Sequence, residues 1–498
     1  MGSLSVLLTT EGTYPYSKGG VSTWCDSLTR ELAEVDFTLL TLTVHPYVNM
    51  SYALRPNVQR LITVPLWGIE QPAEFRFEGP FSEVLEKQAR TTDQVIADHF
   101  VPPFREILRG IGDASMPVEA VGRSLVALHD YFQQFDYHVT FRSQQVWDVM
   151  LAACAERRLR TIAAVAPPTL ADVLGAFRLL YHLLQPLNVA LPQFDVVHSS
   201  AAAFCGLPCI VAKLKHNTPF LLTEHGVYVR EQYLALRRWA KSPYIHQFMC
   251  SLVSLVAMVN YHYADMVSPV CAYNARWERW WGVPADRIRV IFNGADPVQF
   301  SPAEVRRSHR PIVSTMGLIY PLKGQLDLIA AAAHVRDVFP DVQFRVYGAA
   351  SDEAYFDACR NSVAAKGLKD TVHFAGQTST PWHAYREADV VAMASVSEAF
   401  PYSIIEAMLS GAAIVATDVG GVREAIADTG VVVPPRQPRE LAAALIAMLN
   451  APARRRSLGQ AARERAVRHF TVQTFAASYR QAYDDLRSRG LSQLAAAS

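Results

Sequence analysis

Two carboxylates eight positions apart, Glu398 and Glu406, bracket the stretch SEAFPYSIIEAM at residues 397–408. Before it lies DVVAMAS (389–395), short, apolar and β-branched, the composition of a buried strand. After it, IIEAML reads as the first turns of a helix. Pro401, Tyr402 and Ser403 therefore sit at a strand-to-helix crossing. A helix that starts there turns N–H groups without intrahelical partners, and about half a positive charge, toward whatever lies beyond the strand. A ligand carrying phosphates suits that place. Glu406 would lie one turn inside the helix, which rises ~1.5 Å per residue. Glu398 would lie at the strand's end, where open α/β sheets bind ligands. Each glutamate also has a plain reading. Ser403-Ile-Ile-Glu406 fits the S-x-x-E capping box, in which the glutamate only returns to a backbone N–H. Glu398 alone would be a solvated loop charge.

A second constellation opens the chain. LSVLLTT (4–10) reads as a buried strand, and EGTYPYSKGGVSTW (11–24) as a glycine loop entering a helix that runs to about Glu34. Strand, loop and helix in that order bring backbone N–H groups near an anion. Gly19 and Gly20 lack Cβ, so the loop can take unusual φ angles and let a ligand close in; a tight turn is the alternative. In FLLTEHGVYVRE (220–231), His225 and Gly226 follow a strand, where a side chain opens onto a ligand side. A single histidine is more often structural than catalytic, and His198, in FDVVHSS (194–200), reads as a strand-end residue.

The elements that must position these groups alternate between strand and helix. FTLLTLTV (37–44) and LITV (61–64) read as strands, and ADMVSPV (264–270) with RIRVIFNGAD (287–296) is expected to complete the first sheet. Between residues 67 and 192 the patterning turns helical, as in SEVLEKQARTTDQVIADHF and QVWDVMLAACAERRL, with prolines at 102, 103, 167 and 168. That is longer than a βα crossover and reads as a helical insertion. RWERWWG (276–282) bunches three tryptophans, read as helical core packing, with a membrane-docking face as the second reading. SPAEVRRSHRP (301–311) reads as a linker, and Arg454 to Arg456 as a solvated helix face. From IVSTMGL (312–318) onward, strands are expected at 342–348, 371–376, 390–395, 413–417 and 431–434, with helices between. Such alternation means a parallel, doubly wound sheet. The expected division is an N-terminal domain over 1–300, a C-terminal domain over 301–470 and a final helix within 471–498.

Length and composition bound the function. A chain of 498 residues exceeds one ordinary core. With 47 basic and 46 acidic residues the net charge is +1, so no polyanion-binding surface and no nucleic-acid partner are expected. Seven scattered cysteines without a CxxC pair point to buried thiols in a reducing cytoplasm. No signal peptide is read at the N-terminus. The apolar tract FMCSLVSLVAMV (248–259) is shorter than the ~20 residues that span a bilayer and reads as a buried helix. Docking at the periphery of the inner membrane is compatible with this composition.

The stretch SEAFPYSIIEAMLSGAAIVATDVGGVREAI (397–426) resembles the Glu-x7-Glu signature of retaining glycosyltransferases of the GT-B fold, glycosyltransferase family 4. TEHG followed by Arg230 and Glu231, the opening EGTYPYSKGGVSTW and the long insertion resemble the PelF subgroup of cytosolic exopolysaccharide glycosyltransferases. The resemblance implies an α/β architecture of two Rossmann-like doubly wound domains facing a cleft that closes on the donor. The N-terminal domain would carry the acceptor side and the helical insertion, the C-terminal domain the nucleotide sugar, and the final helix would cross back. Lys323 in GLIYPLKGQ (317–325) matches the family lysine that clamps the diphosphate. The family pattern places an arginine after the glycine, where this chain has Leu318; Arg230 is the candidate to compensate. Ala399 stands where a glycine commonly follows the first glutamate.

Residue by residue, the resemblance assigns sugar hydroxyls to Glu398 and the two ribose hydroxyls to Glu406. Sugar and phosphate fall to backbone N–H groups near Tyr402 and Ser403, and the surroundings of the transferred sugar to His225. Gly19 and Gly20 would face the donor diphosphate or the acceptor, and HFAGQTS (373–379) would line the base pocket. No D-x-D motif occurs, so neither a metal nor another cofactor is expected, and UDP-glucose would be the co-substrate. The implied activity is transfer of a hexose, glucose by resemblance, to a glycan acceptor in exopolysaccharide synthesis, within a membrane-associated synthesis complex. His225, Lys323 and Glu398 would do the chemistry, by same-face displacement in which the leaving phosphate takes the acceptor's proton. Two alternatives stand beside it: a UDP-sugar epimerase, and a noncatalytic UDP-sugar-binding subunit prompted by Leu318.

Overall fold

The first sheet holds six parallel strands: β1 (Leu4–Glu11), β2 (Val35–Thr43), β3 (Val58–Pro65), β4 (Val196–Ser199), β5 (Phe220–Glu224) and β6 (Met266–Pro269). Their order is β3-β2-β1-β4-β5-β6. β1, β4 and β5 are buried along almost their whole length, which is why they show no alternating solvent-facing polar side. The coordinates are a computed structural model that describes residues 3–68, 80–155, 168–239, 242–302 and 310–497. Most of the linker read at 301–311, Pro167, and the end of the helix read over QVWDVMLAACAERRL lie outside those residues.

The segment between β3 and β4 is helical, with Phe81–Arg90, Val101–Gly112, Val118–Gln134, Gln144–Ala155 and Leu170–Leu183 as its main helices. Pro102 and Pro103 follow a π-helical turn, Ile96–Phe100, inside a helical run that is continuous from Asp93 to Gly112. Phe100, Phe104, Phe132 and Phe141 pack ring against ring and tie the insertion together. Helix Pro243–Tyr263 contains the apolar tract at 248–259 and is largely buried, as its composition requires. Among the described residues, no helix is long and apolar enough to cross a membrane. All seven cysteines are buried free thiols.

The second sheet repeats the pattern with β7 (Ile312–Met316), β8 (Gln343–Tyr347), β9 (Val372–Gly376), β10 (Val390–Met393), β11 (Ile414–Thr417) and β12 (Val431–Val433). Its order is β12-β11-β10-β7-β8-β9, parallel throughout. Counted from its own first strand, each sheet has the order 3-2-1-4-5-6. In such sheets the connections diverge between the first and fourth strands and leave a crevice at their C-terminal ends. That point falls between β1 and β4 in one sheet and between β7 and β10 in the other.

Compact unit 1 comprises residues 1–269, 277–289 and 479–498, and unit 2 residues 270–276 and 290–478. Three expectations are corrected. The segment 287–296 adds no strand to the first sheet; only an isolated bridge joins Val267 to Ile288, and β6 is the edge. The tryptophans of 276–282 do not all pack inward, because Trp280 is 71% exposed while Trp281 lies against the core. Arg455 is no solvated face residue: its guanidinium donates to the carbonyls of Met448 and Leu449, closing the C-terminus of helix Pro438–Leu449.

Candidate active site

In unit 2 the loops after β7 and β10 flank the crevice, and they bring Lys323 and Glu398 together. Lys323 Nζ lies 2.6 Å from Glu398 Oε1, and Ser395 Oγ donates to the same oxygen at 2.6 Å. A sequence separation of 75 residues becomes a direct contact because β7 and β10 are neighbours. Gly324 makes the approach close enough. It sits at φ 65°, and a Cβ there would lie 2.0 Å from the Ala394 carbonyl oxygen at the end of β10. Gly420, at φ 57°, plays the same part on the far side, where a Cβ would lie 2.0 Å from the Glu398 carbonyl oxygen. The Glu398 side chain is only 9% exposed and that of Lys323 23%. Burial alone would lower the lysine's pKa, but the Glu398 carboxylate and Tyr320 outweigh it and hold the ammonium above its ordinary range.

Glu406 has a different partner. Helix Tyr402–Leu409 begins two residues earlier than a capping box would need: Pro401 is its N-cap and Ser403 lies inside the first turn. The capping-box reading therefore fails. The Tyr385 hydroxyl donates to Glu406 Oε2 at 2.8 Å, and Oε1 takes no hydrogen bond among the described residues. Burial pushes this carboxyl up to about 7, with the tyrosine hydroxyl pulling the other way. Tyr402 and Ser403, both half-buried, open the helix, where N–H groups lack intrahelical partners. Leu318 is 41% exposed on the loop after β7, and its carbonyl accepts from Gln325.

Unit 1 holds the remaining candidates. Gly19 and Gly20 form the start of helix Gly20–Glu31, but Gly19 has an extended backbone (φ 164°), and the left-handed residue of this loop is Gly12, φ 64°. The loop's unusual φ therefore falls directly after β1. A Cβ at Gly19 would meet nothing within 4 Å, so the helix start has open space. His225 follows β5, and Trp24 on that helix meets its ring edge-on at 4.8 Å. His225 Nε2 is buried without a hydrogen-bond partner among the described residues, and burial lowers its pKa to about 3, so the imidazole is neutral. Arg230 is exposed on helix Tyr228–Trp239, in unit 1, whereas Lys323 belongs to unit 2.

His198 is structural, as its strand-end position suggests. Its ring bonds Tyr483 Oη and Thr223 Oγ1, each at 2.8 Å. Tyr479 Oη, from the helix Val472–Ala497, lies 3.1 Å from Thr223 Oγ1 and accepts from Trp24 Nε1 at 3.3 Å. Beside them Glu224 accepts from the Tyr261 hydroxyl (2.5 Å) and the Tyr228 N–H, and burial raises it to about 7. Glu278 is fully buried, neither of its oxygens has a partner among the described residues, and burial, then Glu224, raises it to about 9.

Comparison with known proteins bears on family and fold. Residues 4–286 match a family described only as a domain of unknown function (DUF3492), and residues 299–465 match Glycosyl transferases group 1. The alpha-maltose-1-phosphate synthase of Mycolicibacterium smegmatis is 30% identical over 331 residues, 61% of this chain and 82% of that protein. The chain belongs to the DUF3492 and group 1 glycosyltransferase families. Sucrose-phosphate synthase from Thermosynechococcus elongatus shares the fold of this glycosyltransferase at a TM-score of 0.62 and 19% identity, over 98% of this chain and 100% of that one. Anabaena Alr3699/HepE, solved in complex with UDP-glucose, does so at 0.56 and 14%, over 97% and 100%. Both likenesses bear on the fold, which is GT-B.

Several contacts around the candidate residues are not singled out by the sequence. Ser395 stood at the end of a strand correctly read, and a hydroxyl three residues before a strand-end glutamate was the available signal. Tyr385 is 21 residues from Glu406, and no local pattern links them. The Trp24, Tyr479 and His198 cluster joins residues up to 455 positions apart and had no signal at all.

Proposed function

We propose that this glycosyltransferase moves glucose from UDP-glucose to a glycan acceptor with retention of configuration, in exopolysaccharide synthesis, as a PelF-like member of family 4. The observation that carries the reading is the contact of Lys323 and Glu398 at the β7/β10 crevice. A half-buried ammonium beside a carboxylate, next to a helix N-terminus, can hold a diphosphate and a sugar hydroxyl side by side. Lys323 stabilises the charge that grows on the leaving diphosphate, so no metal is needed for that step. Glu398, pinned by Ser395, orients the sugar. Glu406 holds the ribose through the oxygen that Tyr385 leaves open, and the first turn of helix Tyr402–Leu409 donates to sugar and phosphate. His225, neutral, offers Nε2 to the transferred sugar. Gly19, Gly20 and Arg230 are assigned to the donor diphosphate or the acceptor. The acceptor hydroxyl attacks the anomeric carbon on the face the diphosphate leaves, the C–O bond to phosphate breaks, and the proton passes to the departing phosphate oxygen.

UDP-glucose is supported by the fold relative whose structure contains it, and the exopolysaccharide role by the resemblance of the TEHG and EGTYPYSKGGVSTW stretches. The enzyme is placed in the cytoplasm, docked on a membrane-associated synthesis complex. The test is a panel of UDP-, GDP- and ADP-sugars, scored for hydrolysis and acceptor-dependent transfer with wild type and Glu406→Ala. UDP-glucose turnover that Glu406→Ala weakens through KM is expected. Preference for a GDP- or ADP-sugar overturns the base, and donor conversion without acceptor favours an epimerase. A second reading, a noncatalytic binding subunit, is prompted by exposed Leu318. UDP-glucose binding without turnover would select it.

A further inference from the structure

Glu406 is held by a residue to which nothing so far gives a role in the reaction. Tyr385 lies on helix Pro381–Glu387 and is 2% exposed. Its ring packs edge-on against Phe300, with ring centroids 6.0 Å apart. That hydroxyl reaches Glu406 Oε2 at 2.8 Å, while Oε1 takes no hydrogen bond among the described residues. The four elements packed against helix Tyr402–Leu409 are Pro381–Glu387, Val422–Ile426, Pro452–His469 and β11. None of their charged groups bonds Glu406, and several are engaged elsewhere. Arg386 donates to the carbonyls of Gln299 and Ser301, and Arg423 pairs with Asp418. Glu424 accepts from the N–H groups of Ala272 and Tyr273. Arg463 and Arg465 donate to backbone carbonyls, and Glu387 pairs with Arg345. β11 carries no titratable side chain. Apart from burial, Tyr385 is the one group that acts on Glu406, and it remains a protonated donor because burial and Glu406 both raise its own pKa.

We propose that Tyr385 is a positioning residue for the nucleotide sugar: by donating to Oε2 it fixes the Glu406 carboxylate and directs Oε1 to the ribose. The inference rests on the donor reading given above. A hydroxyl that donates to the ionised form opposes the burial that favours the acid. Removing it raises the pH at which Glu406 becomes protonated, and with it the pH at which donor is released. A role in packing alone would lower affinity or stability without moving that pH.

The experiment is calorimetric titration of UDP-glucose between pH 5.5 and 8.5. This diester carries no phosphate group that titrates in that window. For wild type, Kd should be flat above a break near pH 7 and weaken by up to about tenfold per pH unit well below it. Glu406→Gln should abolish the break. Tyr385→Phe should move it to higher pH, with thermal unfolding as the check on folding. Tyr385 replaced by 3-fluorotyrosine, nearly isosteric and a stronger donor, should move it lower and keeps the test open should the phenylalanine variant not fold. An unmoved break in either folded variant overturns the role of Tyr385 and leaves the donor reading standing. Failure of wild type to bind UDP-glucose at any pH overturns the donor reading, and this inference with it.

Discussion

Lys323→Met separates the two duties assigned to the lysine, neutralising Glu398 and stabilising the leaving group. Methionine keeps an unbranched chain of similar volume and removes the charge. Glu398, 9% exposed, then keeps Ser395 but loses a charged donor at 2.6 Å. Removing one partner of a fully buried ion pair costs about 3–5 kcal/mol. Lys323 is about a quarter exposed, and the surviving Ser395 bond satisfies part of the carboxylate. The range for a charged hydrogen bond, roughly 1.5–3 kcal/mol, is therefore the better guide. In a unit of this size that lowers the melting temperature by about 3–10 °C. Differential scanning calorimetry of Lys323→Met, Glu398→Gln and the double variant gives the coupling. The double variant should be more stable than the sum of the single changes predicts, by about 1–2 kcal/mol, because neither leaves a charge behind. Activity should not recover with it. Loss of an electrostatic stabiliser at the reacting centre costs about 10²–10³ in kcat, and the double variant restores no cation. Strict additivity of the melting shifts would refute the pairing. A Lys323→Met enzyme within about threefold of wild-type kcat would refute the electrostatic role, even with the pairing intact.

Three further outcomes follow from the geometry. Glu278 is protonated in the folded chain up to about pH 9 but ionises from its ordinary 4.5 once unfolded. Its contribution thus becomes steadily more destabilising from pH 4.5 upward, reaching about 3 kcal/mol at pH 7. Glu278→Met should raise stability at pH 7–8, and the gain should vanish as pH falls to 4.5, as measured by urea unfolding. Gly324→Ala demands both a left-handed backbone and a Cβ 2.0 Å from the Ala394 carbonyl oxygen. The β7 and β10 loops must part, and kcat/KM should fall by at least about 100-fold while the rest of unit 2 stays folded by circular dichroism. Tyr479→Phe removes the acceptor of Trp24 Nε1–H and a partner of Thr223, so unit 1 should lose about 1–3 kcal/mol in denaturant unfolding.

The strands were largely legible because parallel sheets bury both faces, so β1, β5, β10 and β11 are continuous apolar runs with no competing period. RIRVIFNGAD failed for the same reason in reverse: alternating apolar residues suggest pairing, but Ile288 bridges Val267 at one point and the chain departs. Glu398 and Glu406 were found from spacing and resemblance. What each side chain touches was not, because Lys323 and Ser395 reach Glu398, and Tyr385 reaches Glu406, through tertiary contacts. Ser403 and Glu406 have the spacing of a capping box, yet Pro401 caps the helix two residues early and puts the serine out of register. Residues such as Glu278 and Glu224 are invisible in sequence, since an isolated glutamate on a helix or at a strand end says nothing about the depth to which packing will carry it.

Unit 1 takes residues from both sides of unit 2 in the sequence, and Tyr479 and Tyr483 supply hydroxyls to Trp24, Thr223 and His198. A ribosome must therefore have made all of unit 2 before those three residues can be satisfied. Until then the nascent first sheet carries an open seam lined by an indole and an imidazole. Such a chain should recruit holdase chaperones while still tethered, and should become resistant to protease only once Tyr479 and Tyr483 have emerged and docked.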